Sequence, residues 1–344
     1  MLRALIAGAL ALALAGAAGA QPAPSAPNMR LILAPQPAQR LSAYGLFADI
    51  AAQRPASGVV AYDLATPLFS DYALKRRYVF IPPGQHAQAR GEAVFDFPIG
   101  TVLIKTFAFA ADLRSGADQD ARTVETRLLI RKREGWDALV YVWDTAARDA
   151  TLQLAGAQTP VRFIDAAGVA REALYTVPNK NQCAGCHKIA DALTPIGPSP
   201  RNLDRDGQLA RWSATGLVQG ALPASAPPTT LDARARAYLD VNCAHCHNPQ
   251  GPASNSGLDL RYAQHDPALW GVRKRPVAAG RASAGLLFAI DPGHPDRSIL
   301  LHRLQSTDPS VMMPELGRTL VHTEGVDLVS RWIAAMDVDG RIAE

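Results

Sequence analysis

The sequence predicts an α+β, multidomain fold in which an N-terminal antiparallel β-rich domain precedes two small α-helical units. Three observations carry this expectation. Short β-type runs divided by turn residues fill residues 41–177. From Pro178 onward the apolar residues take helical spacing, interrupted by loops. All four cysteines fall in that second half as two close pairs, Cys183/Cys186 and Cys243/Cys246. With 344 residues, 48% of them hydrophobic, the chain is long enough for two or three domains that each bury a core.

The first element is a targeting signal. Arg3 supplies a positive start, Ala4 to Ala15 form a Leu/Ala-rich run, and Ala18-Gly19-Ala20 satisfies the small-residue rule for cleavage before Gln21. Residues 1–20 are thus predicted to be a cleaved signal peptide and the mature chain to reside in the periplasm. No later run is long and apolar enough for a transmembrane span. Residues 21–40, rich in Pro, Ala and Gln, are predicted to form a flexible leader. The formal charge of +4 drops to +3 once Arg3 leaves with the signal, and no Lys/Arg cluster marks a nucleic-acid partner.

Within the β-rich domain (41–177), strands are predicted around Arg77–Ile81, Thr101–Ala110, Thr123–Arg133 and Ala138–Trp143. Pro82-Pro83-Gly84 and Glu134-Gly135 turn the chain, suggesting a sandwich or barrel-like sheet. The first helical unit (178–225) contains a predicted helix over Gln208–Val218 bearing Leu209, Trp212 and Leu217. Ala221–Pro228 reads as the linker to the second unit (226–344). There, Thr230 is the N-cap of a helix over Asp232–Val241. Val326, Val329, Ile333 and Met336 form the apolar stripe of a closing helix.

The cysteine pairs carry the chemistry. Cys183-Ala184-Gly185-Cys186-His187 and Cys243-Ala244-His245-Cys246-His247 are both C-x-x-C-H. Two thiols at this spacing reach the two vinyl groups of one porphyrin, and the following histidine becomes the proximal iron ligand. Histidine is only 8 of 344 residues, so its presence after both pairs is poorly explained by chance. A zinc ribbon spaces its pairs by about 15–20 residues, whereas Cys186 and Cys243 are 57 positions apart. A thioredoxin-type pair follows a strand and opens a helix, but Pro178 and an Asn-Lys-Asn-Gln stretch precede Cys183. Two disulfides leave His187 and His247 unexplained. The prediction is two covalently bound haem c groups, on Cys183, Cys186 and His187 and on Cys243, Cys246 and His247, making both helical units cytochrome c-type haem units.

A second axial ligand is sought among five methionines. Met313, held extended before Pro314, is the predicted ligand of the second haem, with Met312 the alternative and Met336 a core residue. Between His187 and Cys243 there is neither Met nor another His, so the first haem borrows His86, His265, His294, His302 or His322, or is five-coordinate. Pro195, Gly197 and Pro198, and Pro249 and Pro252, are candidates to turn a backbone carbonyl toward each proximal histidine. Arg201 is a candidate partner for a propionate.

Several stretches together resemble bacterial dihaem c-type cytochromes with a β-rich N-terminal region. They are Val60–Leu64, Thr66–Tyr72, Phe97–Thr106, Glu125–Leu128, Pro178–Cys183 and Pro198–Leu203. The resemblance covers most of the mature chain and implies covalent haem and electron transfer with a redox partner protein. It supplies no substrate. Two other readings are a dihaem peroxidase-like enzyme with an open first haem, and a binding module using Trp136 and Trp143. Aromatic residues in or beside a β-run more often belong to the core.

Overall fold

A computed structural model describes residues 26–116, 121–224, 227–277 and 280–342; the predicted signal peptide lies outside them. Period-two alternation in the first half of the chain builds one six-stranded antiparallel sheet. Its strands are β1 (Val59–Tyr62), β2 (Leu74–Phe80), β3 (Val102–Phe109), β4 (Arg122–Lys132), β5 (Gly135–Trp143) and β6 (Ala150–Leu152), each beside its chain neighbour. The register sets Arg77 opposite Lys105, Lys105 opposite Arg127, and Arg127 opposite Val140.

One face of the sheet presents Tyr78, Phe80, Val102, Ile104, Leu128, Ile130, Leu139 and Tyr141 to a core. The N-terminal segment covers it. A helical turn at Met29–Ile32 and a 3₁₀ turn at Leu41–Tyr44 insert Ile32, Leu41 and Tyr44, all fully buried. The Tyr141 hydroxyl donates to the Ala38 carbonyl at 2.8 Å and lies 3.1 Å from the Tyr44 hydroxyl. From Ala26 on, the segment expected to be a flexible leader is therefore packed: its apolar residues, not its Pro and Gln, decide its place.

The opposite face carries two apolar clusters. At one end Phe107, Phe109 and Val140 meet a long hairpin of β7 (Ala157–Ile164) and β8 (Ala170–Val177) through Val161, Phe163 and Tyr175. At the other, Val79 and Leu103 meet Phe95, Phe97, Leu203, Leu209 and Trp212. Leu103, Lys105 and Phe107 share a face at every second position of β3, so the cation row crosses the sheet between the clusters.

The predicted α+β arrangement, a β-rich domain followed by two small helical cytochrome c-type units, is not what the chain forms. Antiparallel strands dominate, and none of the eight α-helices among the described residues exceeds 12 residues. Residues 178–224 make no helical unit of their own. Cys183, on helix α1 (Lys180–His187), is buried in the hairpin cluster. Leu209 and Trp212, on α2 (Gln208–Ala214), fill the other cluster. Val218–Gln219 pairs in parallel with Ala87–Gln88. The physical reason is that this stretch has too few apolar residues to close a core, so it borrows the sheet. Farther on, α3 (Leu231–Asn242), α4 (Ile299–Gln305) and α5 (Thr323–Ala334) enclose Leu239, Leu301, Val329 and Trp332, with long loops between them. The Trp332 indole donates to Asp232 at 2.8 Å, tying α5 to α3.

Residues 65–72 strap these parts together. Thr66 N–H donates to the Asn202 side chain at 2.7 Å and Phe69 N–H to that of Asn242 at 2.9 Å. The buried Asp71 carboxylate accepts from the N–H groups of Thr319 and Leu320 at 2.6 and 2.7 Å. No helix among the described residues is long and apolar enough to cross a membrane.

Because Ile32 is fully buried on the sheet, Ile32→Ala is expected to remove about 2–5 kcal/mol of stability in denaturant unfolding. An unchanged midpoint would return this segment to the status of a leader.

Candidate functional site

The first motif is set by a capped helix. Asn179 accepts from Gln182 N–H while Gln182 Oε1 accepts from Asn179 N–H, both at 2.9 Å, so α1 starts two residues after Pro178. Cys183, Cys186 and His187 then stand at i, i+3 and i+4, on one side of the helix. The His187 Nδ1 lies 3.0 Å from the Thr194 carbonyl, which can only accept; Nδ1 is the donor and Nε2 keeps its lone pair. Burial pushes the His187 ring down to about 4, so it is neutral at physiological pH.

The second motif follows directly from α3, where the Leu239 carbonyl accepts from Cys243 N–H at 2.8 Å and the Cys243 carbonyl from His247 N–H at 2.9 Å. His247 Nδ1 is 3.0 Å from the Ser256 hydroxyl, whose own proton goes to the Ala253 carbonyl at 2.7 Å. That hydroxyl must accept from His247, leaving Nε2 as an electron-pair donor here too. Burial first, then Arg303 and His245, bring this ring to about 4. The orienting groups are thus Thr194, just before Pro195, and Ser256. The candidate carbonyls at Pro195, Gly197, Pro198, Pro249 and Pro252 do not fill that role. Sequence spacing pointed to the loops after each motif but not to the atom within them.

The four thiols form no disulfide. Burial raises Cys183, and it pushes Cys243 up to about 12. Cys186 and Cys246, one from each motif, act on each other: Cys186 is lowered, with help from His245, and Cys246 is raised, with help from burial. Cys246 Sγ also lies 3.9 Å from the Gly185 carbonyl. The two motifs, remote in sequence, therefore touch.

They border one cavity of about 1370 Å³, larger than the roughly 300–1,000 Å³ that holds one drug-sized ligand. Cys183, Cys186 and His187 line it from the first motif, Ala244 and His245 from the second, and Asn248 from the residue after it. Met312, buried, also lines it. Met313 is half-buried; its N–H donates to the Arg303 carbonyl at 3.0 Å and its carbonyl accepts from Arg318 at 2.8 Å. Met313 itself is absent from the cavity lining.

Of the histidines considered for the first haem, His265 borders the cavity, while His86, His294 and His302 are absent from its lining. His322 is engaged elsewhere, stacked on Phe69 at 4.1 Å and 3.2 Å from the Tyr238 hydroxyl. Arg201 lines the cavity but is already paired with Asp240 and stacked 4.0 Å over Tyr262. Trp143 is in the core, donating to Thr126 at 2.9 Å, and Trp136 packs on Phe97. Sequence reasoning missed His245, whose buried Nδ1 has no hydrogen-bond partner, and the cations of the cavity wall. Strand alternation was the available signal for the latter.

Among the described residues no three His, Cys, Asp or Glu side chains converge as a site for a bare metal ion. A neutral imidazole beside a thiol pair is present twice, a donor set that fits haem; the first set borders the large cavity, and Cys243, Cys246 and His247 are absent from its lining. No protein-family model, curated protein or solved structure matches the chain.

Gly251 closes the loop after the second motif, and a Cβ there would overlap the Cys246 carbonyl and approach the Asn248 side chain at 2.8 Å. Gly251→Ala is expected to destabilise by about 1–3 kcal/mol, read as a lower unfolding midpoint. An unperturbed midpoint would show that this loop has slack.

Proposed function

We propose that this chain is an exported two-haem electron-transfer protein, akin to the bacterial dihaem c-type cytochromes with a β-rich N-terminal region. The observation that carries the reading is the approach of the two motifs, with Cys246 Sγ 3.9 Å from the Gly185 carbonyl. Thioethers on both motifs would bring the rims of the two porphyrins together, which makes a short relay. Haem supplies one-electron chemistry at iron; the chain supplies attachment, orientation and shielding from water. Cys183 and Cys186, and Cys243 and Cys246, hold the porphyrins covalently. His187 and His247 are held neutral, with Nδ1 engaged and Nε2 ready to ligate. Met313 would supply a thioether to the second haem, and a thioether ligand raises the potential. The signal peptide delivers the chain to the periplasm, where its partner is a donor or acceptor protein meeting it through a small, transient interface. No nucleic acid is involved.

Mature protein made in a host with haem-maturation machinery is expected to carry two haems per chain by mass. Cys243→Ala/Cys246→Ala should carry one, and bare polypeptide in the wild type would end the reading. Met313→Leu is expected to abolish the Met–iron charge-transfer band and lower one midpoint potential. Met312→Leu should keep the band. Peroxide turnover with a reduced donor well above that of free haem would instead favour the peroxidase-like alternative.

A further inference from the structure

The least expected feature of the cavity is its floor. Arg77, Lys105 and Arg127 stand directly opposite one another on β2, β3 and β4, and all three border the cavity. Like charges placed across neighbouring strands repel, and burial adds a desolvation penalty. Their neighbours answer only part of this. Arg127 makes a two-point pair with Glu125 at 2.6 and 3.0 Å, and the same carboxylate accepts from the Tyr175 hydroxyl. Arg77 reaches Asp63 at 3.2 Å, but Asp63 also serves Arg205 at 2.6 Å. Asp71, which acts on the nearby Lys75, is occupied by the N–H groups of Thr319 and Leu320. Arg205 also pairs with Asp206 at 3.2 Å, so five cationic side chains (Lys75, Arg77, Lys105, Arg127 and Arg205) face four carboxylates, and the group keeps an excess of positive charge.

Two donor groups in this row, Arg77 Nη2 and the Lys105 ammonium, are taken up by no carboxylate among the described residues. Arg77 is 5% exposed, and its Nη2 has no hydrogen-bond partner. Lys105 rests its ammonium 5.0 Å over the Phe107 ring, and burial and the cations around it hold it well below its usual pKa. The row adjoins the first motif: Lys105 acts electrostatically on His187, and Arg127 on Cys183. Phe107, beneath Lys105, belongs to the same cluster as Cys183.

We infer that Lys105 and Arg77, backed by Arg127, bind the propionate carboxylates of the porphyrin attached to Cys183 and Cys186. This rests on the two-haem reading above. A haem carries two such carboxylates, one for Arg77 Nη2 and one for the Lys105 ammonium, and a guanidinium and an ammonium are the donors they favour. The sheet is then the wall against which the first haem is seated and electrostatically set, in place of the Arg201 pairing that Asp240 has taken.

The test is redox titration of mature wild type, Lys105→Gln and Lys105→Arg, with haem counted by mass. Removing a cation beside a haem favours the oxidised, more positive form. Lys105→Gln is therefore expected to lower one midpoint and leave the other in place, and Lys105→Arg to restore it. If Lys105→Gln does not accumulate, Lys105→Met, which keeps the alkyl stem on Phe107, makes the same comparison. Two haems with both midpoints unmoved would overturn the assignment while leaving the two-haem reading intact; no haem in the wild type would overturn both. High-spin iron in Lys105→Gln would make Lys105 an iron ligand and overturn it. So would a saturable response of the wild type to inorganic phosphate that Lys105→Gln abolishes, since the row would then take a free anion.

Discussion

The inner face of the six-stranded sheet is a surface that no single packing partner can cover. Apolar residues at both ends of the strands invite a layer of side chains, and the Arg77–Lys105–Arg127 row between them forbids one. A fully apolar lid would bury all three cations, where Lys105 and Arg127 are now half-buried, and would impose a penalty of several kcal/mol per ion after relaxation. The chain therefore packs each end separately and leaves the middle facing a cavity. The β7–β8 hairpin and Cys183 close one end; Phe95, Phe97 and α2 close the other.

That constraint also places the first motif. Its helix is capped by its own residues, but Cys183 is buried among Val161, Tyr175 and Val177. The segment is thus a component of the sheet's packing and not a domain joined to it. Around the second motif, the chain does build a core, with Leu239, Val329 and Trp332 at its centre. The strap from Ala65 to Tyr72 holds the two in one arrangement. It does so with backbone donors aimed at Asn202 and Asn242, and with Asp71 accepting from the loop ahead of α5. Asp71 and Tyr72 both have positive φ, at 48° and 61°. The surrounding hydrogen bonds hold these two residues in a backbone region costly for side chains other than Gly.

The chemistry of the site follows from this packing. Each histidine is buried enough to stay neutral, and each Nδ1 has an acceptor, so both rings present the nitrogen that a metal needs. The approach of Cys246 to the first motif comes from how the sheet and the α3–α5 core are strapped together, and nothing in either motif encodes it alone. Several stretches that carried the family resemblance meet at the same cavity: Tyr62 and Leu64, Leu68 to Asp71, Leu103 to Lys105, Arg127, Gln182 and Arg201 all line it.

Local chemistry is what the sequence determined unaided. C-x-x-C-H dictates a thiol pair and an imidazole within one helical turn, because that spacing is set by helix geometry alone. Alternation in Thr101–Ala110 and Thr123–Arg133 likewise foretold strands within a residue or two of Val102–Phe109 and Arg122–Lys132, and Thr230 caps α3 as its position implied. Only the tertiary structure decided what those elements belong to. Whether residues 178–224 stand alone or borrow a sheet depends on apolar area summed over distant segments, which no local window contains. The burial of Ile32, the Ser256 and Thr194 acceptors, the orphaned His245 nitrogen and the row of cations are all consequences of long-range register. A register is settled by the whole sheet at once.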